Sequence, residues 1–293
     1  MEPILIDNQF SIDLESGKIL PKDNGGKLSF VSHGHFDHIP TRLKDKTLVC
    51  SPETRKVLSC RIKNRKIAFG KDSRLLLLDA GHTIGSRMLY LREHDLLYTG
   101  DFNTIQKYCG QARPRSCSTL IVEATYGRKR YAMPGYHRTI QEMIGFVRQQ
   151  KKVIFDVYAF GKAQEVCHIL DQHQILFQIQ HDAVQAINDA LGLAYSCQRD
   201  DADVIISDQS FPGFKTITLS GWVLDRPSRH AHSRGFPISD HADHPSLMRF
   251  VGRCDPDRIF TFHGFAEELA ASLNREGFRA SPLLAEQKLL GEY

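Results

Sequence analysis

Three imidazoles and a carboxylate fall within six positions in the stretch Ser32-His33-Gly34-His35-Phe36-Asp37-His38. On a turn leaving a strand, alternate residues such as His33 and His35 can point the same way, while the Asp37-His38 step faces a neighbouring point. Imidazole nitrogen and carboxylate oxygen suit zinc and related divalent ions, so the stretch holds donors for one metal ion and half of a second. More groups of the same chemistry recur downstream: His82 within Gly81-His82-Thr83-Ile84-Gly85-Ser86, Asp101 within Thr99-Gly100-Asp101-Phe102, and Glu123 within Glu123-Ala124-Thr125-Tyr126-Gly127. His241 follows in Ser239-Asp240-His241-Ala242-Asp243, and His263 stands before Gly264.

These groups need elements to position them. The apolar runs 28–31, 75–78, 96–98 and 119–122 read as buried strands, each ending in His, Asp or Glu close to glycine. Together they predict one edge of a sheet lined with ligands. Residues 4–6 and 10–14 alternate like two edge strands joined at Asp7-Asn8, and Asn24-Gly25-Gly26 is a turn signal. Ser51-Pro52 starts a helix with a serine N-cap and proline at the first helical position. Strand, loop and helix in that alternation predict an α/β layered fold. Helices are expected over 245–252, with Asp243 at its start, and over 266–276, with a strand over 258–262 between them.

Between the two groups of motifs the rhythm shifts. Arg128-Lys129-Arg130 opens a loop, a helix is predicted over 139–150, and a strand over 152–157 leads through Ala159-Phe160-Gly161-Lys162 into a helix over 163–170. Lysine at a helix N-terminus after a glycine turn is a candidate phosphate seat, with a plain strand–helix turn as the alternative. A helix over 181–191 and strands over 204–206 and 216–219 complete what reads as an inserted α/β unit, residues 128–236, within a domain made of 1–127 and 237–293.

Composition bounds the rest. At 293 residues, 41% hydrophobic and 25% charged, the chain has the make-up of a soluble globular protein. Its net charge of +4 permits a polyanionic partner without requiring one. Seven cysteines without a C-x-x-C pair argue against both a disulfide framework and a zinc ribbon. The N-terminus carries no signal-peptide pattern and no apolar run is long enough to span a bilayer, so a cytoplasmic protein without membrane contact is expected.

The ordered set HxHxDH, GHTIGS, TGDF, EATYG, SDHAD and FHGF resembles the metallo-β-lactamase superfamily, and within it the β-CASP nucleases. That group includes the polyadenylation endonuclease, RNase J and the Artemis-type nucleases. Ser220-Gly221-Trp222 followed by arginine-rich sequence and SDHAD is most similar to the compact exonucleases associated with DNA ligase. The resemblance implies an αββα sandwich with an inserted, shortened β-CASP-like α/β unit closing on the site as a clamp. It implies two zinc ions, with manganese admitted by the same ligands. His33, His35 and His82 would hold the first, Asp37, His38 and His263 the second, and Asp101 would bridge them. His241, paired with Glu123, would be the general acid, and Asp37 belongs to the catalytic set.

The resemblance further implies hydrolysis of phosphodiesters in single-stranded DNA or RNA, with exonuclease action on DNA placed first. An RNA-processing endo- or exoribonuclease is the alternative, a thioesterase- or lactonase-type metallohydrolase a further one, and a non-catalytic nucleic-acid-binding subunit the last. For the substrate, Lys162, Arg128, Lys129 and Arg130 are candidate phosphate contacts, as are Arg113, Arg115, Arg226, Arg229 and Arg234. Trp222, the only tryptophan, could stack on a base or sit in the core.

Overall fold

A strand that is apolar at every position must be covered on both faces, and Ile4–Ile6, Leu96–Tyr98 and Val204–Ile206 are of that kind, buried throughout. The structure, a computed structural model, describes residues 3–22, 26–44, 46–62, 67–150, 152–225 and 233–283. Asn24, Gly25, Lys63, Arg65, Lys66, Arg226, Arg229, His230 and His232 lie outside the described residues. The chain folds as two units, residues 1–130 with 241–293, and residues 131–240.

Two six-stranded sheets build the first unit. One runs in the order Ile19–Pro21, Phe10–Ile12, Ile4–Ile6, Leu28–Phe30, Thr47–Val49, Ala68–Phe69. The other runs Ala280–Pro282, Arg258–Phe262, Thr119–Glu123, Leu96–Tyr98, Arg87–Leu91, Leu75–Asp79. Their inner faces share one core, with Ile4, Ile6, Phe30 and Val49 from the first sheet and Leu89, Leu91, Tyr98 and Ile121 from the second.

Because successive side chains alternate across a strand, Leu97, Leu120 and Val122 turn the other way. They pack with Leu247, Phe250 and Val251 of the helix His244–Cys254 and with Leu269 and Leu273 of the helix Ala266–Arg275. Behind the first sheet, Val31 and Leu48 pack with Leu58 of the helix Pro52–Arg61. The layers are therefore helix, sheet, sheet, helix: an αββα sandwich. Its helices start as their sequences direct. Ser51 accepts a hydrogen bond from the Thr54 N–H and Asp243 from the Ser246 N–H, each at 3.0 Å, and a proline follows in the first turn of both.

One expectation is overturned. Neither Phe10–Ile12 nor Ile4–Ile6 is an edge strand. Phe10–Ile12 lies between Ile19–Pro21 and Ile4–Ile6, and parallel to Ile4–Ile6 on its other side runs Leu28–Phe30, with Ile6 opposite Phe30. All three residues of Ile4–Ile6 are buried, which a run with no polar alternate requires. The consequence is local: the strand delivers Asp7 beside the start of the histidine loop.

The second unit has five strands, all parallel, in the order Gln178–Ile179, Val204–Ile206, Val153–Asp156, Lys215–Leu219, Ser233–Phe236. The helices Tyr136–Gln150, Lys162–Gln172 and Asp182–Leu191 supply Ile144, Val166, Leu170 and Val184 to its core against Phe155, Ile206 and Ile217. Phe236 and Ile238 belong to the same core. All seven cysteines are free thiols. Among the described residues, no helix is long and apolar enough to cross a membrane.

Candidate metal centre

The histidine loop leaves the strand Leu28–Phe30 and passes through a single helical turn, Phe36–His38. His33 is fully buried, and its Nε2 lies 2.9 Å from Nδ1 of His35. His82, held by a hydrogen bond from its N–H to Ser86 Oγ, brings its Nε2 within 3.2 Å of the same Nδ1. Gly81 makes that approach possible. Its φ is +67°, and a Cβ there would stand 2.6 Å from the Asn103 carbonyl oxygen.

Asp101 is the centre of the cluster. Its Oδ2 is 3.3 Å from His38 Nε2, 3.7 Å from His33 Nε2 and 3.8 Å from His82 Nε2. One carboxylate oxygen thus faces three imidazoles. Burial alone would raise the Asp101 carboxyl, but His38, His241 and His82 outweigh it and hold it well below the usual carboxylate range. Burial, followed by the like charges of His38, His82 and His35, pushes the His33 imidazole well below its ordinary value. A neutral imidazole is the form that binds a metal.

His38 behaves oppositely. Burial disfavours its charge, yet the carboxylates of Asp101 and Asp7 prevail and raise it well above the ordinary histidine value. Both of its ring nitrogens are buried without an aligned hydrogen bond, although Asp7 Oδ2 is 3.2 Å from Nδ1. The buried Nε2, 3.3 Å from Asp101 Oδ2 without an aligned hydrogen bond, fits a cation shared with that carboxylate, while Nδ1 faces Asp7. The donor sets fit a metal on that ground, and His33, His35, His82 and Asp101 have ligand atoms all within 4.8 Å of one another.

The second expected set is looser. Asp37 is exposed, with Oδ2 3.5 Å from His38 Nε2. His263 is also exposed, and its ring stacks on His38 at 6.0 Å between centroids and 12° between planes. His263 has a φ of +61°, a region costly for a residue with a Cβ. Gly264 after it, at φ +48°, sits where a Cβ would stand 2.5 Å from the Ala124 carbonyl oxygen, so the turn presses directly on the strand that carries Glu123.

Glu123 is completely buried at the end of its strand. Its Oε1 accepts the Phe102 N–H at 3.0 Å and its Oε2 the Thr125 N–H at 3.2 Å. The same Oε1 is 2.9 Å from Nδ1 of His241. The His241 carbonyl oxygen accepts a hydrogen bond from the Asn103 side-chain amide at 3.1 Å. Its ring packs against His82 with centroids 4.6 Å apart. Asp101, Glu123 and His241 form a second group whose ligand atoms lie within 4.8 Å of one another.

By sequence Asp7 is only part of a turn; the structure makes it the support of the whole loop. Fully buried, it accepts the Ser32 N–H at 2.6 Å and the Tyr98 hydroxyl at 2.9 Å, and it faces His38. An acid ending an apolar strand is the available signal, since Asp101 and Glu123 carry it too.

The substrate candidates are placed unevenly. Lys162 corrects the phosphate-seat reading. Its ammonium is buried and bonded to Glu165 and, at 2.7 Å, to Asp240, so its charge is already compensated inside the second unit. Arg128 pairs with Glu268 and lies 3.9 Å above the Phe265 ring, while Lys129 and Arg130 are exposed. Arg115 stacks over Tyr90, and Arg234 lies between Phe146 and Phe236. Trp222 is 41% exposed and edge-on to Tyr131, which removes the core reading.

Comparison with known proteins adds to this geometry. No family model matches the chain. It is 31% identical over 293 aligned residues to a probable DNA ligase of Opitutus terrae, an alignment covering 87% of this chain and 28% of that one. It is 34% identical over 114 residues to the transcription termination factor FttA of Methanothermobacter thermautotrophicus, covering 35% of this chain and 18% of the relative. The chain thus spans less than a third of the length of either relative. A crystal structure of a protein of unknown function from Enterococcus faecalis superposes with a TM-score of 0.63 at 12% identity, covering 89% of this chain and 80% of that one. The αββα sandwich and its strand-end ligands define a metallo-β-lactamase-fold protein. Its ordered motifs and these relatives make the chain similar to the β-CASP group of that superfamily.

Proposed function

We propose that the protein is a metal-dependent nuclease that hydrolyses phosphodiester bonds of single-stranded nucleic acid. The observation that supports it best is the buried Glu123 held against His241 beside the Asp101-centred imidazole cluster. Thioester hydrolysis has less need of that pair, because a thiolate departs without protonation, whereas the alkoxide expelled from a phosphodiester does not.

His33, His35, His82 and Asp101 would hold one divalent ion, zinc or manganese, and Asp37, His38 and His263 with Asp101 a second. Metal bound there acidifies water and neutralises phosphoryl oxygens, the two requirements of phosphodiester attack. Asp101, with one oxygen facing three imidazoles, keeps the two halves of the site together. When the phosphorus–oxygen bond breaks, the leaving oxygen needs a proton. His241 donates it from Nε2, since Nδ1 faces Glu123. Glu123 cannot swing away, because two backbone N–H groups hold its carboxylate. General acids of this kind contribute about 10²- to 10⁴-fold.

DNA is the favoured polymer and attack from an end the favoured mode. The relative that aligns over 87% of this chain is a probable DNA ligase, whereas the transcription termination factor aligns over 35%. The test is a time course on end-labelled single-stranded DNA and RNA of one sequence, with zinc or manganese, beside Asp101→Asn and His241→Ala. Mononucleotide or ladder products from DNA that vanish in both variants support the reading. Cleavage of a generic ester or lactone with neither polymer cut would sink it.

A further inference from the structure

The first unit has a cavity of about 660 Å³, lined by Arg113, Arg249 and Arg253 with Gln111, Ser246 and Phe250 among its other walls. The three arginines are exposed, and none pairs with a carboxylate among the described residues. Arg249 spends one N–H on Ser246 Oγ at 2.9 Å, which aims its guanidinium along the helix His244–Cys254. Arg253 stands one turn further on the same face. Like charges four residues apart on a helix repel, and an anion between them removes that cost. The floor is firm, since Phe250 is buried and packs on Phe102 with ring centroids 4.5 Å apart.

The cavity is tied to the catalytic site by one side chain. Asn103 donates to the His241 carbonyl at 3.1 Å and accepts the N–H of Ile105, a wall residue, at 2.9 Å. Ala242, next to His241, donates to the Phe102 carbonyl at 2.8 Å. The loop that begins at Asp101 therefore carries the metal centre at one end and the arginine cavity at the other.

We infer that this cavity seats the phosphate backbone of a single-stranded nucleic acid a few nucleotides beyond the scissile bond. The inference rests on the nuclease reading above. Guanidinium forks match phosphate oxygens in pairs, and three of them around a concave, polar wall suit a phosphodiester chain. Of the three, only Arg113 is a phosphate candidate by sequence. Arg249 and Arg253 join it because distant segments of the chain meet in the fold.

The test is binding of fluorescein-labelled dT20 and dT6 to the full chain with zinc present, by anisotropy across a range of salt. Arg249→Ala/Arg253→Ala is expected to weaken dT20 about tenfold and dT6 less than twofold. The salt slope for dT20 should shrink by about 0.7 for each phosphate no longer neutralised, the value for single strands. Arg113→Glu, a charge reversal on the other segment that lines the cavity, should act in the same direction. Weakening of equal size for both lengths, no weakening for either, or millimolar inorganic phosphate displacing dT6 and dT20 alike would overturn the inference. A wild-type protein that binds and cuts DNA while the arginine variants match it refutes the cavity alone. One that neither binds nor cuts any polymer refutes the nuclease reading with it.

Discussion

Glu123 and His241 stand 118 residues apart in the chain, yet Oε1 of the first lies 2.9 Å from Nδ1 of the second. The carboxylate is fully buried and anchored by two backbone N–H groups, whereas the imidazole side chain keeps 22% of its surface exposed. A fixed buried base and a half-open ring is the arrangement expected of a group that passes a proton outward.

His241→Ala should lower kcat about 10²- to 10⁴-fold with metal content unchanged. Steady-state kinetics beside elemental analysis of the purified variant checks it. Because Asp101, Glu123 and His241 also lie within metal-binding distance of one another, loss of an ion from this variant would make His241 a ligand and end its assignment as the acid.

Asp7→Ala should reduce metal affinity about 10- to 100-fold, as loss of a group that orients a ligand does. The residue holds Ser32, faces His38 and receives the Tyr98 hydroxyl without belonging to any metal set itself. Competition with a chromogenic chelator gives the affinity. A wild-type value would show that the loop keeps its shape without the carboxylate.

Stability of the metal-free protein should depend on pH through His38. Its folded value is raised above the ordinary 6.5 by Asp101 and Asp7. The unfolded chain then binds fewer protons than the folded one above about pH 6.5, so stability falls as pH rises through the folded value. His33, shifted the other way, acts below that point, where the unfolded state takes up the proton first. Thermal melts of chelated protein from about pH 6.5 to 9 should show a falling Tm that His38→Gln abolishes. The same linkage requires metal uptake to release a proton, measurable by calorimetry in buffers of different ionisation enthalpy.

Lys162→Met should destabilise residues 131–240 by about 3–5 kcal/mol, since it leaves the Glu165 and Asp240 carboxylates without their buried cation. Denaturant unfolding checks it. A stable variant with weakened nucleic-acid binding would restore the phosphate-seat reading.

Some of this is legible from residues alone. His33, His35, His82, Asp101 and Glu123 stand out because each follows an apolar strand by a few positions, and strand ends are local features. The αββα class follows from the family resemblance and from the continuous apolar runs that both sheets cover. Asp7 does not stand out, because its role depends on Ile4–Ile6 lying beside Leu28–Phe30, and a strand's neighbours are not written in its own residues. Lys162 looks like a phosphate ligand until the fold supplies Asp240, 78 positions away, as its partner.

The sequence by itself determined the chemistry available: which donors exist, that they suit divalent metal, and that strands end where they stand. Tertiary structure alone decided which of them meet. Strand-end geometry is set within a few residues by backbone sterics and burial, whereas the pairing of Glu123 with His241 and of Asp7 with His38, and the placing of Arg113 and Arg249 on one cavity, depend on which strands and helices become neighbours. That choice is made by the shared core of the two sheets, and no single segment holds it.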